Sequence, residues 1–406
     1  MTLPAGAANR IVSGDTTTTW QDLALVDLPG AAAVFVADDL DAARVVWTHA
    51  TGSRETLVAA ASRAEPGLVD SLLDAGLAVV HLAGDDIEVT ASPTPRPPEA
   101  DRVWLLTSGT TGRPKRVGHT LASLTTVGGQ QPPRTWLCPY TPGAYAWWQV
   151  VTLSLNLPGQ DIVFVSPQDF ERWPELARRH GVTAASGTPT FWRQALLRSG
   201  ETLREVGLQQ VTLGGEPVDQ GVLDLVHEAF PAARVSWIYA SSEAGAAIAV
   251  HDGRAGFPAA WLDRDAPGRP RLRVDGDELL IASPHRGAGI DAELHTGDRV
   301  QIVDDRVLIT GRLATDEINV GGSKVSAAQV REVLLSHPGV AWAAVKGRRA
   351  PLVGTVVAAD VVLSDPSVTE AGLAQWCAAR LAEYAVPRRF RMLDSVPISE
   401  SLKSDV

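Results

Sequence analysis

Apolar and polar positions along the chain fall into two recurring patterns. Short dense apolar runs read as buried strands: AAVFVADD (32–39), LAVVHLAGDD (77–86), Val103 to Leu106, DIVFVS (161–166), QVTLGG (210–215) and VSWIYAS (235–241). Stretches with apolar residues at helical spacing lie between them: RETLVAAASRA (54–64), PGLVDSLLDAG (66–76), ERWPELARRHG (171–181) and GVLDLVHEAF (221–230), the last with Asp219 as its cap. The alternation predicts a largely parallel sheet with helices packed on it. SPTPRPPEAD (92–101) is a proline-rich connection. From about residue 270 the pattern changes to hairpins, RLRVDGDELLIAS and DRVQIVDDRVLIT, with DG and DD at the turns.

Beyond GRLATDE (311–317) the pattern describes a separate small unit. Ser326-Ala-Ala-Gln329 is a capping box opening a helix to about Ser336. Strands at VAWAAVKG and GTVVAADVVL, a long helix EAGLAQWCAARLAEY and RRFRML follow. The fold class is therefore α/β: a large N-terminal domain of layered sheets and helices (1–311) plus a small C-terminal α+β domain (312–406).

Composition narrows the function. The 406 residues are long enough for two or three domains. A net charge of -11 argues against a nucleic-acid or anionic-membrane binder. No window has the apolar length of a membrane span, and the N-terminus lacks the pattern of a signal peptide. Two distant cysteines, Cys138 and Cys377, form no zinc spacing or disulfide framework and fit a reducing, cytoplasmic setting. Of 36 basic residues only four are lysines: Lys115, Lys324, Lys346 and Lys403. In an arginine-dominated chain, a lysine marks places where a compact ammonium is wanted.

Five local patterns carry candidate chemistry. LLTSGTTGRPKRVGHT (105–120) packs hydroxyls and glycines between an apolar run and Lys115, a composition suited to cradling phosphate. By composition alone it is equally a polar strand–helix turn. LGGEPV (213–218) and IYASSEAG (238–245) end predicted strands, where open α/β sheets bind ligands. Tyr239 offers a stacking face and Glu243 a hard oxygen for magnesium. LHTGDRV places Asp298 after a glycine turn, a carboxylate able to accept two ribose hydroxyls. GRLATDEINVGGSKV and VPISESLKSDV, with Lys403, complete the set.

In this order and spacing the five patterns resemble the core motifs of the adenylate-forming (AMP-binding) superfamily: acyl- and aryl-CoA ligases, adenylation domains and luciferases. The resemblance covers roughly residues 100–406. It implies that ATP, Mg2+ and a small-molecule carboxylic acid meet here, that the acid becomes an acyl-adenylate, and that CoA or a carrier protein accepts the acyl group. Coupling to an amine and a non-catalytic nucleotide-binding role are the other readings. The resemblance implies that Thr107, Ser108, Gly109, Thr110, Thr111, Gly112 and Lys115 hold the outgoing phosphates, and that Gly214, Gly215, Glu216, Pro217 and Tyr239 enclose adenine. It further implies Ser242 at the α-phosphate, Glu243 on magnesium, and Asp298 and Arg312 at the ribose. Lys403 would bridge the carboxylate and α-phosphate. The small domain would then rotate about a hinge within Leu313–Asp316, bringing Val320–Lys324 toward the acceptor.

The acid pocket follows from the same resemblance. Tyr145, Trp147 and Trp148 suit a flat or aromatic acid, beside Gly214, Ile238 and Ala240, with Ser186–Trp192 as a further wall. Equally, these aromatics are core residues. Lys346, Arg348 and Arg349 could meet CoA phosphates or an acidic carrier, or form a solvated basic turn. The chain departs from the family pattern at Ala240 (usually glycine), Ser242 (threonine) and Leu402 (glycine), and its GRLATDEIN is one residue longer than usual. It also lacks the histidine common in the pocket segment, and the region before the phosphate loop is abridged.

Overall fold

The computed structural model describes residues 3–107, 115–166, 172–313, 317–320, 323–350 and 354–397. Two large sheets dominate them. The first has eight strands in the order Gly245–Val250, Arg234–Ser241, Gln210–Gly214, Ala184–Gly187, Arg134–Cys138, Gln160–Phe164, Arg10–Ser13, Thr16–Thr19. The second has six: Asp86–Thr90, Ala78–Ala83, Ala31–Val36, Glu55–Ala60, Arg102–Thr107, Lys115–His119. In both, the inner strands run parallel and only the edges are antiparallel. Ala31–Val36 is buried at every position, as a parallel strand covered on both faces must be. One core joins the two sheets, a smaller one covers the outer face of the six-stranded sheet, and the latter includes Phe35, Leu57, Leu72 and Val79.

One sequence expectation fails. Arg54–Ala64 is not a helix: Glu55–Ala60 is a central parallel strand, followed by a short 3-10 turn Ala61–Arg63. An apolar run of this length has no decisive period, and pairing on both sides overrides the helix preference of alanine. Glu55 is fully buried here. It accepts from Arg96 at 2.8 and 2.5 Å, from the Glu99 amide at 2.7 Å and from the Trp104 indole at 2.8 Å. Burial pushes the Glu55 carboxyl up, and these donors, Arg96 first, more than reverse it, so its pKa is lowered. The proline-rich connection is thereby tied to the sheet that ends at the phosphate loop.

The hairpins form a five-stranded sheet ordered Phe257–Pro258, Arg306–Arg312, Leu294–Val303, Glu278–Ala282, Arg271–Asp275. Past residue 317 a separate core, from Ile318 to Val386, gathers under the strands Val340–Ala350, Gly354–Leu363 and Arg389–Met392 and the helices Ala327–Leu335 and Glu370–Ala378. Ser326 caps its helix through the Gln329 amide at 3.2 Å. The expected long helix stops at Ala378, where the Cys377 carbonyl takes the Arg380 and Leu381 amides and turns the chain.

Candidate functional site

The glycine pair sits at the end of Gln210–Gly214, beside Arg234–Ser241, with Gly214 opposite Ile238. A Cβ at Gly214 would stand 3.0 Å from the Ile238 carbonyl, and Gly215 holds a φ of +82°. Only glycine turns the chain so tightly beside the neighbouring strand. Glu216 accepts the Thr190 amide at 3.0 Å, which binds this loop to the helix Pro189–Arg204.

Tyr239 and Asp298 come together from two different sheets. The Tyr239 hydroxyl donates to Asp298 Oδ2 at 2.5 Å, and Arg312 Nε lies 2.9 Å from Oδ1. Asp298 and Arg312 are paired across adjacent antiparallel strands. Burial raises the Asp298 pKa, with Tyr239 and Arg312 opposing it; burial likewise raises the Tyr239 phenol. Each carboxylate oxygen keeps a lone pair beyond those two donors, enough for a sugar diol.

The Ser241–Gly245 turn follows directly. Ser241 Oγ accepts the Ala244 amide at 2.9 Å, Gly287 N donates to the Glu243 carbonyl at 2.9 Å, and Gly245 has φ +73° with a Cβ site 2.6 Å from the His285 carbonyl. Glu243 is half-buried, and among the described residues its carboxylate takes part in no hydrogen bond or ion pair. The described residues hold no cluster of three or more His, Cys, Asp or Glu placed for a metal. One free carboxylate fits a magnesium ion that arrives on nucleotide phosphates, since such ions take one or two protein carboxylates and keep the rest of their shell from phosphate and water.

The phosphate loop joins two antiparallel strands, Arg102–Thr107 and Lys115–His119, with Thr107 opposite Lys115; a strand follows it where composition also allowed a helix. Lys115 is exposed and Thr107 half-buried. Ser108, Gly109, Thr110, Thr111 and Gly112 lie outside the described residues, as do the proposed hinge residues Ala314–Asp316, Gly321, Gly322 and Lys403. Lys324 is exposed and pairs with Glu317 at 3.0 Å.

The three pocket aromatics divide. They lie on a helix, Tyr145–Asn156. Trp147 and Trp148 are fully buried, edge to face with each other at 5.1 Å, and Trp147 stacks on Phe164. They occupy the core reading of their pattern. Phe191 and Trp192 are fully buried in the same way, while Ser186 Oγ is 3.0 Å from the buried Tyr140 hydroxyl. Tyr145 alone is half-buried, with its ring tilted against His119 at 6.2 Å. Ile238 and Ala240 are half-buried beside Tyr239. Lys346 is on a strand, not a turn, and pairs with Asp360 at 3.1 Å, as does Arg391 at 2.6 Å. Arg348 and Arg349 are exposed on the same strand.

His119 was not singled out from sequence, although it lies within the phosphate-loop stretch. Its signal is its place, the last residue of the strand leaving that loop.

Residues 24–288 match the AMP-binding enzyme family, and residues 329–403 match the AMP-binding enzyme C-terminal domain. The chain belongs to the AMP-binding (adenylate-forming) enzyme family. It is 30% identical over 335 residues to a 2-succinylbenzoate–CoA ligase of Bacillus cereus, covering 74% of this chain and 67% of the relative. A Bacillus cytotoxicus 2-succinylbenzoate–CoA ligase is 29% identical over the same shares. Among solved structures, the anthranilate CoA ligase AuaEII in complex with anthranoyl-AMP superimposes with TM-score 0.73 at 15% identity, covering 99% of this chain and 93% of the other. O-succinylbenzoate Coenzyme A synthetase from Bacillus subtilis, in complex with ATP and magnesium, gives 0.70 at 20% identity over 98% and 95%. The amide bond synthetase McbA from Marinactinospora thermotolerans gives 0.68 at 20% identity over 98% and 96%. These last three establish the fold.

Proposed function

We propose that this chain is an AMP-forming acid ligase that activates a carboxylic acid, aromatic or unsaturated, and passes it to CoA. The observation that carries the reading is the Tyr239–Asp298–Arg312 assembly, whose Tyr239 stands on one strand between Ile238, opposite Gly214, and the turn that carries Glu243. A nucleoside laid along that line meets a glycine-lined slot for its base, a diol acceptor for its ribose, and a metal ligand for its phosphates.

In the first half-reaction a carboxylate oxygen of the acid attacks the α-phosphorus of ATP. The bond to the bridging oxygen breaks and pyrophosphate leaves. Thr107–Lys115 would hold the departing phosphates, Ser242 the α-phosphate, and Lys403 the charge that builds between acid and phosphate. Glu243 would hold magnesium, which neutralises phosphate charge when bound. In the second half-reaction the CoA thiolate attacks the acyl carbon and AMP leaves. Its phosphates find counter-charge at the exposed edge Lys346, Arg348 and Arg349. The division at 311/312 and rotation about Leu313–Asp316 belong to this proposal, as does a cytoplasmic setting. No helix of the described residues is long and apolar enough to cross a membrane.

The test is carboxylate-dependent ATP–pyrophosphate exchange over a panel of aromatic, unsaturated and fatty acids, including 2-succinylbenzoate. Exchange with one acid group is expected, and Lys403→Ala should lower its rate by roughly 10²–10³-fold. An unchanged rate in that variant would remove Lys403 from the chemistry. Addition of CoA should then release a thioester; product with an amine or a carrier protein in place of CoA would reassign the acceptor.

A further inference from the structure

We propose that His119 is the positioning residue that joins the two halves of the triphosphate site, holding the Ser242–Glu243 turn onto the strand that leaves the phosphate loop. The proposal rests on the adenylation reading above. His119 is the last residue of Lys115–His119 and only 2% exposed. Its Nε2 lies 2.7 Å from the Ser242 carbonyl oxygen, 123 residues away in sequence. A carbonyl only accepts, so Nε2 carries the proton and Nδ1 is the acceptor. The Ser123 hydroxyl lies 3.0 Å from Nδ1 and accepts the Thr120 amide at 3.0 Å; its one proton has two acceptors in reach, Nδ1 and the Thr120 carbonyl at 3.1 Å. Burial lowers the His119 pKa, against the Ser242 carbonyl and the Glu243 charge, which favours the neutral ring.

A second tie runs in parallel. Gly118 O accepts the Ala288 amide at 2.7 Å, and the adjacent Gly287 amide donates to the Glu243 carbonyl at 2.9 Å. The carbonyls of Ser242 and Glu243 are thus both anchored, one by the His119 ring and one through the 287–288 segment, to the same strand. Gly287 leaves the histidine room: a Cβ there would meet Val117 at 2.2 Å and His119 Nε2 at 3.4 Å. With both peptide planes fixed, the Glu243 carboxylate moves only about its own side-chain torsions. The cost of ordering a metal ligand is then met in folding and not at each binding event. Tyr145, tilted against the same ring, brings the acid side of the site to the same point.

The experiment compares wild type, His119→Gln, His119→Leu and Ser123→Ala. Glutamine keeps a terminal N–H donor; leucine keeps volume without one. ATP binding is measured by calorimetry with and without Mg2+, alongside the melting temperature and the KM for Mg2+ in pyrophosphate exchange. His119→Leu should weaken ATP binding about tenfold in the presence of Mg2+ and by clearly less without it, a loss typical of removing a partner that orients a metal ligand. His119→Gln should recover most of it, and Ser123→Ala should fall between. Equal losses with and without Mg2+, or no loss in any variant, would overturn the proposal. If His119→Leu fails to fold, the Gln and Ala variants carry the same comparison. Absence of exchange in wild type would sink the adenylation reading, while the calorimetry would still judge His119.

Discussion

At the scale of single residues, Asp298 is the proposed ribose acceptor. It is buried, which raises its pKa, and two protein donors hold it in one orientation. Asparagine would keep an acceptor for Tyr239 but lose the charge that strengthens bonds to sugar hydroxyls. Asp298→Asn should therefore weaken ATP binding by roughly 10–100-fold, at about 1.5–3 kcal/mol for a hydrogen bond to a charged group. The fold should be retained; calorimetric titration with ATP checks the first and thermal melting the second. Asp298, Tyr239, Glu243 and Arg312 were all legible in the sequence, because each lies in a short stretch whose glycines and hydroxyls announce a loop. The contact between Tyr239 and Asp298 was not, since 59 residues and a change of sheet separate them.

At the scale of elements, the helix Asp39–Ala50 carries two opposed proton linkages. Asp39 has an oxygen, Oδ1, buried without a hydrogen-bond partner; burial, then the Asp38 charge, raises its pKa to about 7, against the Trp147 indole. His49, buried beside Thr56 at 3.0 Å, has its pKa lowered to about 4, chiefly by burial. For Asp39 the folded state binds the proton more tightly, so its contribution is fully present below the unfolded value of 3.8 and is lost as pH rises to about 7. For His49 the unfolded state binds the proton more tightly, so its contribution is present above 6.5 and is lost as pH falls to about 4. Between pH 4 and 6.5 the two oppose each other. Asp39→Asn should therefore expose a stability that climbs with pH over this window, and His49→Gln one that falls. Each slope should sum to a few kcal/mol. Urea unfolding at several pH values distinguishes them, and parallel slopes in the two variants would refute the assignment. Neither linkage is written in the helix's own residues; both come from what packs over its ends.

At the scale of the whole molecule, Arg193 spans the two cores. It is 7% exposed, with Nη2 2.6 Å from Asp219 and Nη1 3.5 Å, the outer limit of a hydrogen bond, from the Ala341 carbonyl of the small domain. Glu332 sits nearby, its pKa raised by burial and then by Asp219. Under the proposed rotation of the small domain, this contact favours the present arrangement over others. Arg193→Met keeps the packing stem but removes the cation, and should alter thioester formation and pyrophosphate exchange by different factors, each measurable on one preparation. Equal effects on both would mean that the contact serves stability alone.

What the sequence by itself determined was local. Alternation of strand and helix, the late switch to hairpins, the glycine turns and each of the five chemical patterns depend on neighbours within a few residues, and the order of the patterns is read along the chain without the fold. They sufficed for the α/β class, the small terminal unit and the family. Tertiary structure decided what depends on burial and on partners far along the chain. It made Glu55–Ala60 a strand because two parallel neighbours claim its backbone, and it placed Trp147 and Trp148 in the core while leaving Tyr145 near the site. It also turned His119 from one polar residue among several into the group that reaches the Ser242 carbonyl. The physical reason is the same in each case: periodicity records which face is apolar, but only packing decides what that face meets.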